Sequence, residues 1–144
     1  MGETLLAAPQ AWNVPFETTS EWNSIRMLLA HTVAAEERLV SMRLQGQEIP
    51  VFYEKRAATD WEGLYEDHRK MRANTYAYLD RLTDEQISGG EIVLPAVDGR
   101  PEQTRSDILF HVINHENFHR GQVVTALQRL GVDPPNFDYF LLKP

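Results

Sequence analysis

Residues 107–131 read DILFHVINHENFHRGQVVTALQRLG and predict one long helix. We expect this helix to run from about Ser106 to about Leu130. Thr104 or Ser106 can cap its N-terminus, because a hydroxyl there accepts a hydrogen bond from a free backbone N–H. Gly131, followed by two prolines, is typical of a helix end.

Three histidines recur at intervals of four residues on this helix: His111, His115 and His119. At about 100° per residue they form one tilted stripe along the helix. Two imidazoles four residues apart can direct their nitrogens at one cation, so this spacing recurs in metal sites. The alternative is that they are core histidines with hydrogen-bonded ring nitrogens. Both interpretations stay open at this point.

Residues 115–119, HENFH, also fit the H-E-x-x-H signature of zinc proteases, in which Glu116 would be the general base. The extended form of that signature has a glycine and a further histidine just downstream, and neither is in place. The other form needs an acidic ligand on a later helix, whereas Asp133 and Asp138 lie in a proline-rich tail. We therefore favour an i,i+4 ion pair between Glu116 and Arg120, worth about 0.2–0.5 kcal/mol.

A second strong helix is predicted upstream, from about Glu21 to about Gln45, where apolar residues recur at helical spacing. Thr18 and Glu21 fit a capping box at its start. Asn23 or Ser24 could instead cap a later start.

A third helix is predicted from about Asp60 to about Leu82, since its apolar residues step by three and four positions. Histidines interrupt the apolar faces of both upstream helices, His31 on one and His68 on the other. Inward histidines on two helices can close a three-ligand site across a bundle. Three protein ligands with an open position are typical of catalytic metal sites. For His68 the alternative is again a hydrogen-bonded core residue.

The segments outside these helices are less regular. Residues 1–20 are weakly specified by the sequence. Residues 83–105 predict a small hairpin or extended excursion, because Asp98-Gly99 is a tight-turn dipeptide. The apolar tail from Phe137 to Leu142 is expected to pack back on the helices.

Composition bounds the class of protein. The chain has 144 residues, of which 42% are hydrophobic and 24% charged, so we expect one globular domain over residues 1–144. A formal net charge of -7 repels phosphate backbones, so nucleic acid is not an expected partner. No run approaches the roughly 18 apolar residues of a membrane span, and no membrane partner is expected. The absence of cysteine and of a signal-peptide pattern leads us to expect a cytoplasmic location.

The last helix strongly resembles that of DinB-like proteins, the DinB/YfiT superfamily of metalloenzymes. The match centres on N-H-x-x-x-H-R-G-Q at residues 114–122, and SIRMLLAHTVAAEERLV at residues 24–40 resembles the family's histidine-bearing second helix. The resemblance implies an all-α four-helix bundle of up-down-down-up type. Few residues precede Trp12, so the first helix is expected to be short.

The resemblance also implies a divalent metal held by His31, His115 and His119, with His111 as a neighbour. All-imidazole ligation suits zinc, nickel, copper or iron. We expect zinc, nickel, manganese or iron, and the sequence does not choose among them. Three neutral imidazoles leave the charge of the ion uncompensated, so a bound thiol or water would lose its proton near neutral pH.

The function implied by the resemblance is transfer of a low-molecular-weight thiol, such as bacillithiol or mycothiol, to a small electrophilic substrate. A metal-dependent hydrolase, or a non-catalytic metal-binding or structural bundle, are the alternatives. His68, His111, Glu116 and Arg120 are candidates for the surrounding pocket. A short first helix would expose an apolar face, so we expect a homodimer, with Phe110 as a candidate contact.

Overall fold

A computed structural model of the chain describes residues 9–17, 21–96, 99 and 101–134. Within these ranges the protein is mostly helical, with two short strands. The elements are a 3-10 turn (Pro9–Ala11), α1 (Ile25–Glu36), a π-helix (Glu37–Leu44), α2 (Tyr53–Arg56), α3 (Trp61–Leu79), α4 (Asp84–Ser88), β1 (Ile92–Leu94), β2 (Gln103–Thr104) and α5 (Arg105–Arg129). No helix in the described ranges has both the length and the apolar character needed to cross a membrane.

The start of α1 is set by the side chain of Ser24. Its hydroxyl oxygen accepts a hydrogen bond from the backbone N–H of Met27 at 3.3 Å, while the Ser24 backbone is extended. The helix therefore begins at Ile25, and the predicted start at about Glu21 is wrong by one turn. The alternative prediction, a later start capped by Ser24, is confirmed, and the capping box predicted at Thr18 lies outside the described residues.

The start of α5 is a full capping box. The Thr104 hydroxyl accepts from the Asp107 N–H at 3.1 Å, and the Asp107 carboxylate accepts from the Thr104 N–H at 2.8 Å. At α3 the Asp60 carboxylate alone provides the cap, accepting a hydrogen bond from the Gly63 N–H at 2.8 Å. Gly131 follows α5 with a φ of 72°, a left-handed conformation that glycine adopts without a steric penalty. The predicted boundaries of α5 are within one residue, whereas α3 ends three residues before the predicted Leu82.

The second half of the first long helix is not α-helical. From Glu37 to Leu44 the backbone follows π-helical geometry, and just beyond it the Gln45 N–H donates to the Val40 carbonyl oxygen five residues back at 3.1 Å. In a π-helix the backbone hydrogen bonds join residues five apart, so such residues lie on the same side of the helix. In an α-helix they are separated by about 140°. The π segment therefore changes which side chains share a face.

The excursion before α5 contains a two-stranded antiparallel sheet, in which Ile92 pairs with Thr104 and Leu94 with Gln103. The register is irregular between these two pairs. The five-residue helix α4 precedes the strands and was not predicted. Gly99 has a φ of 78°, as a tight turn requires, while its neighbour Asp98 lies outside the described residues.

The core lies between α1, α3 and α5, and α1 packs against both of the others. The apolar side chains buried there include Leu28, Val33, Leu64, Met71, Val112, Val123 and Leu127. Each such side chain stabilises the folded protein by about 1.5–3 kcal/mol relative to leaving that side chain exposed to water. This packing brings the histidine-bearing faces of α1 and α5 together. The apolar tail at residues 137–142 lies outside the described residues.

Candidate metal centre

Three histidines from two helices meet at one point in the structure. The Nε2 atom of His115 lies 3.2 Å from that of His31 on α1 and 3.1 Å from that of His119, one turn further along α5. One ligand nitrogen from each of the three rings lies within 4.8 Å of the others. A tetrahedral ion about 2.0–2.1 Å from each nitrogen would space neighbouring nitrogens about 3.3–3.4 Å apart. Two of the three nitrogen pairs thus have nearly the spacing of ligands around one ion, and the third pair lies within 4.8 Å.

The outer nitrogens of two of the rings face acceptors. His119 Nδ1 donates to the Gln122 Oε1 atom at 2.6 Å, which leaves the lone pair on Nε2, toward the other histidines. His31 Nδ1 faces the Glu54 Oε1 atom at 3.5 Å, too far for a full hydrogen bond but close enough for electrostatic attraction. Metal-ligating histidines are typically oriented by such outer partners.

The charge state of the three rings also suits a cation. Burial, followed by the neighbouring His119, lowers the pKa of His31 to about 4, although Glu54 acts in the opposite direction. Burial and then the two partner histidines lower the pKa of His115 to about 4. Burial lowers the pKa of His119 as well. All three rings are therefore neutral at pH 7, the form in which imidazole binds metals.

An aromatic side chain covers one face of the cluster. Trp22, just before α1, stacks on His31 with ring centroids 3.5 Å apart and planes inclined by 21°. Its ring also meets the edge of His119, with centroids 6.1 Å apart. This stacking restricts the rotation of the His31 ring.

A cavity of about 670 Å³ opens beside His31 and His115. It lies between the π-helix, the strand β2 and the first half of α5, and its polar wall includes Arg38, Arg43 and Asn114. Small-molecule sites in proteins span about 300–1,000 Å³. The cavity can therefore admit a small substrate next to the three nitrogens.

The sequence model of the DinB family matches residues 8–144 of this chain. The chain belongs to the DinB family. The resemblance carried by its two histidine helices is thereby confirmed. A search of curated proteins found no match to the chain.

His111, the first of the three histidines on α5, is not part of the cluster. It is exposed at the rim of the cavity, and its ring centroid lies 5.6 Å from that of His115. Two of the three histidines on α5 therefore belong to the cluster, and α1 supplies its third histidine.

His68 and Glu116 belong to a second cluster, together with Glu36 of α1. The Arg72 guanidinium lies among them, 3.4 Å from the Glu36 Oε2 atom and in direct contact with Glu116. This guanidinium occupies the position that a cation would take. Glu116 is therefore held by α3 and does not join the three histidines, as the base of a zinc protease would.

Burial determines the charge properties of this second cluster. Glu36 is 1% exposed, and desolvation raises the pKa of its carboxyl group, although the Thr75 hydroxyl donates to Oε1 at 2.5 Å. Burial, then the charge of Arg72, lowers the pKa of half-buried His68, and Arg120 contributes in the same direction. Arg120 thus acts electrostatically on His68, and neither residue belongs to the three-histidine cluster.

The sequence patterns predicted no role at the cluster for three residues that contact it: Trp22, Glu54 and Gln122. Gln122 could have been found, because it lies three residues after His119 and so on the same helix face. Trp22 precedes its helix, and Glu54 lies on α2, a four-residue helix. Their positions depend on how distant segments pack, which no local pattern reports.

Proposed function

We propose that this DinB-family protein is a divalent-metal-dependent enzyme that transfers a low-molecular-weight thiol to a small electrophilic substrate. His31, His115 and His119 are the proposed metal ligands. One observation carries the proposal. The Nε2 atoms of the three rings lie close together, with two of the three pairs 3.1 and 3.2 Å apart, and all three rings are neutral.

The donor set fits a divalent transition metal. Three neutral imidazoles suit zinc, nickel or iron better than manganese, which prefers oxygen ligands. Three protein ligands leave at least one position of a four-coordinate ion open. An ion held there would supply positive charge that lowers the pKa of a bound thiol and so provides a nucleophile near neutral pH.

The chain's own residues then have separate tasks. Gln122 and Glu54 orient the rings of His119 and His31 so that their lone pairs face the centre. Trp22 covers His31 and excludes water from that face. The open cavity on the other side leaves room for the two reactants to meet, and holding them together can contribute much of the rate acceleration.

The proposal also covers the domain organisation, the fold, the cellular location and the oligomeric state. We propose that the chain is a single domain and a four-helix bundle of up-down-down-up type. The protein is a cytoplasmic homodimer. Phe110, whose side chain is 65% exposed, is a candidate contact in that dimer.

The proposal is tested with protein reconstituted in turn with zinc, nickel, manganese and iron. Each form is incubated with bacillithiol or mycothiol and a fluorogenic alkyl halide, and the conjugate is quantified. The proposal predicts conjugation that one metal supports and that His119→Ala abolishes. Hydrolysis of ester or amide substrates without conjugation would favour a hydrolase. Tight metal binding with neither reaction would favour a non-catalytic metal protein.

A further inference from the structure

The π-helix places two arginines on one wall of the cavity. Arg38 and Arg43 both line it, although they are five residues apart. In an α-helix this separation would turn them about 140° away from each other. The π-helical geometry of Glu37–Leu44 brings them to the same side. A π segment of this kind is often found at functional sites.

The two arginines differ in how their charge is compensated. Arg38 Nη1 lies 2.7 Å from the Glu54 carboxylate, so its charge is largely neutralised. Arg43 Nη1 donates to the neutral Gln103 side chain at 3.2 Å, and the structure gives it no carboxylate partner among the described residues. The acidic residue on the cavity wall, Asp107, accepts hydrogen bonds from the backbone and hydroxyl of Thr104 at the start of α5.

The position of Arg43 relates it to the three-histidine cluster. The same cavity is lined by His31 and His115 of the three-histidine cluster and by Arg43 and Gln103. One small molecule filling about 670 Å³ can therefore meet both. A guanidinium presents a planar fork of donors that matches an oxyanion.

We propose that the cavity selects a small molecule carrying an oxyanion, a carboxylate or a phosphate, which Arg43 binds while another group of that molecule reaches the metal centre. Gln103 holds the guanidinium in place. This inference rests on the proposed function, because it names the substrate class of the same site. It assigns to Arg43 the role of a specificity-determining residue.

The test uses cobalt-substituted protein, because a thiol bound to cobalt gives an absorption band from which a dissociation constant is obtained. The probes are 3-mercaptopropionate, 2-mercaptoethyl phosphate and the neutral 3-mercaptopropionamide. A charge-assisted hydrogen bond contributes enough for at least one of the anionic probes to bind about tenfold or more tightly than the amide. The anionic probe that binds more tightly shows whether the oxyanion is a carboxylate or a phosphate.

The variants separate charge recognition from folding. Arg43→Gln should reduce the preference to about one while the affinity for the amide stays unchanged. Arg43→Lys, which keeps the charge, should retain part of the preference. Arg69→Gln, a change at an exposed arginine of α3 outside the cavity, should leave the preference at the wild-type value.

Two results would overturn the inference, and they differ from failure of the proposed function. Equal binding of all three probes to wild-type protein would overturn it, as would an unchanged preference in Arg43→Gln, with the metal site intact in both cases. Failure of the wild-type protein to bind cobalt would instead overturn the metal site and, with it, the inference.

Discussion

The Nε2 atoms of His31 and His115 lie 3.2 Å apart, although 84 residues separate them in the chain. Neither helix alone can form the three-nitrogen cluster, because α1 supplies one member and α5 supplies two. The packing of α1 against α5 is therefore part of the site. Changes that alter this packing should alter metal binding as well.

Gln122→Ala should weaken zinc binding by about 10–100-fold, the usual cost of losing an outer partner of a ligand. The amide oxygen of Gln122 fixes the His119 tautomer through a 2.6 Å hydrogen bond. Isothermal titration of metal-free protein with zinc measures the change. The matched control is Gln128→Ala, at an exposed position of the same helix. Equal affinities in the two variants would show that Gln122 does not orient the ring.

Arg72→Ala should destabilise the protein by about 1–3 kcal/mol, because the buried Glu36 carboxyl group loses its cation and must take up a proton or stay unpaired. Arg69→Ala, on the exposed side of the same helix, should change the free energy of unfolding by about 0.5 kcal/mol or less. Urea denaturation at neutral pH provides both values. A similar small effect in the two variants would mean that the cluster is solvated in solution.

Metal-free protein should lose stability as the pH falls from about 6.5 to about 4. The pKa of His31 and of His115 is lowered to about 4 in the folded chain, against about 6.5 for histidine in an unfolded chain. The unfolded chain therefore takes up protons at a higher pH than the folded one, and protonation favours unfolding in this window. Above about pH 6.5 both states are neutral, and this effect is absent.

The measurement is urea denaturation of metal-free protein across this pH window. The His31→Gln/His115→Gln variant should show a smaller loss of stability than the wild type. Glu36 acts in the opposite direction, since its raised pKa favours the folded state at low pH. It is present in both proteins, so the difference between them isolates the histidines. Identical pH profiles would contradict the assigned shifts.

Binding of nickel or copper should quench the fluorescence of Trp22 more than that of the other tryptophans. Its ring centroid lies 3.5 Å from that of His31, and both ions quench nearby indoles. Trp22→Phe should therefore lose most of the metal-dependent quenching while still binding the ion. Trp61→Phe is the control, since Trp61 packs against Trp12 and Tyr65. Full quenching in Trp22→Phe would place the ion elsewhere.

Much of the fold could be predicted, because it follows from local rules. The apolar stripe of α3 predicted the buried positions Leu64, Met71 and Tyr78. The left-handed glycines after the helices, Gly46 and Gly131, follow from their lack of a side chain. Residue composition and helical spacing are enough to predict these buried positions and helix ends.

The π segment and the contacts of the side chains around the site could not be predicted. The residue types in a π-helix are those of an ordinary helix. The sequence therefore predicts a helix there but not the directions of its side chains, which depend on packing. The ion pair of Glu116 joins α5 to Arg72 on α3, whereas spacing along one helix suggested Arg120. In the same way, Glu54 reaches His31 from α2. Such partners depend on tertiary structure alone.

Elemental analysis of the purified, tag-free protein is the most direct test of the proposed metal centre. Wild-type protein, His115→Ala/His119→Ala and His111→Ala are compared after the same expression and dialysis. We expect about one divalent ion per chain in the wild type and in His111→Ala, and nearly complete loss in the double variant. No metal in the wild type, even after incubation with zinc, nickel, manganese or iron, would contradict the site, as would full retention in the double variant.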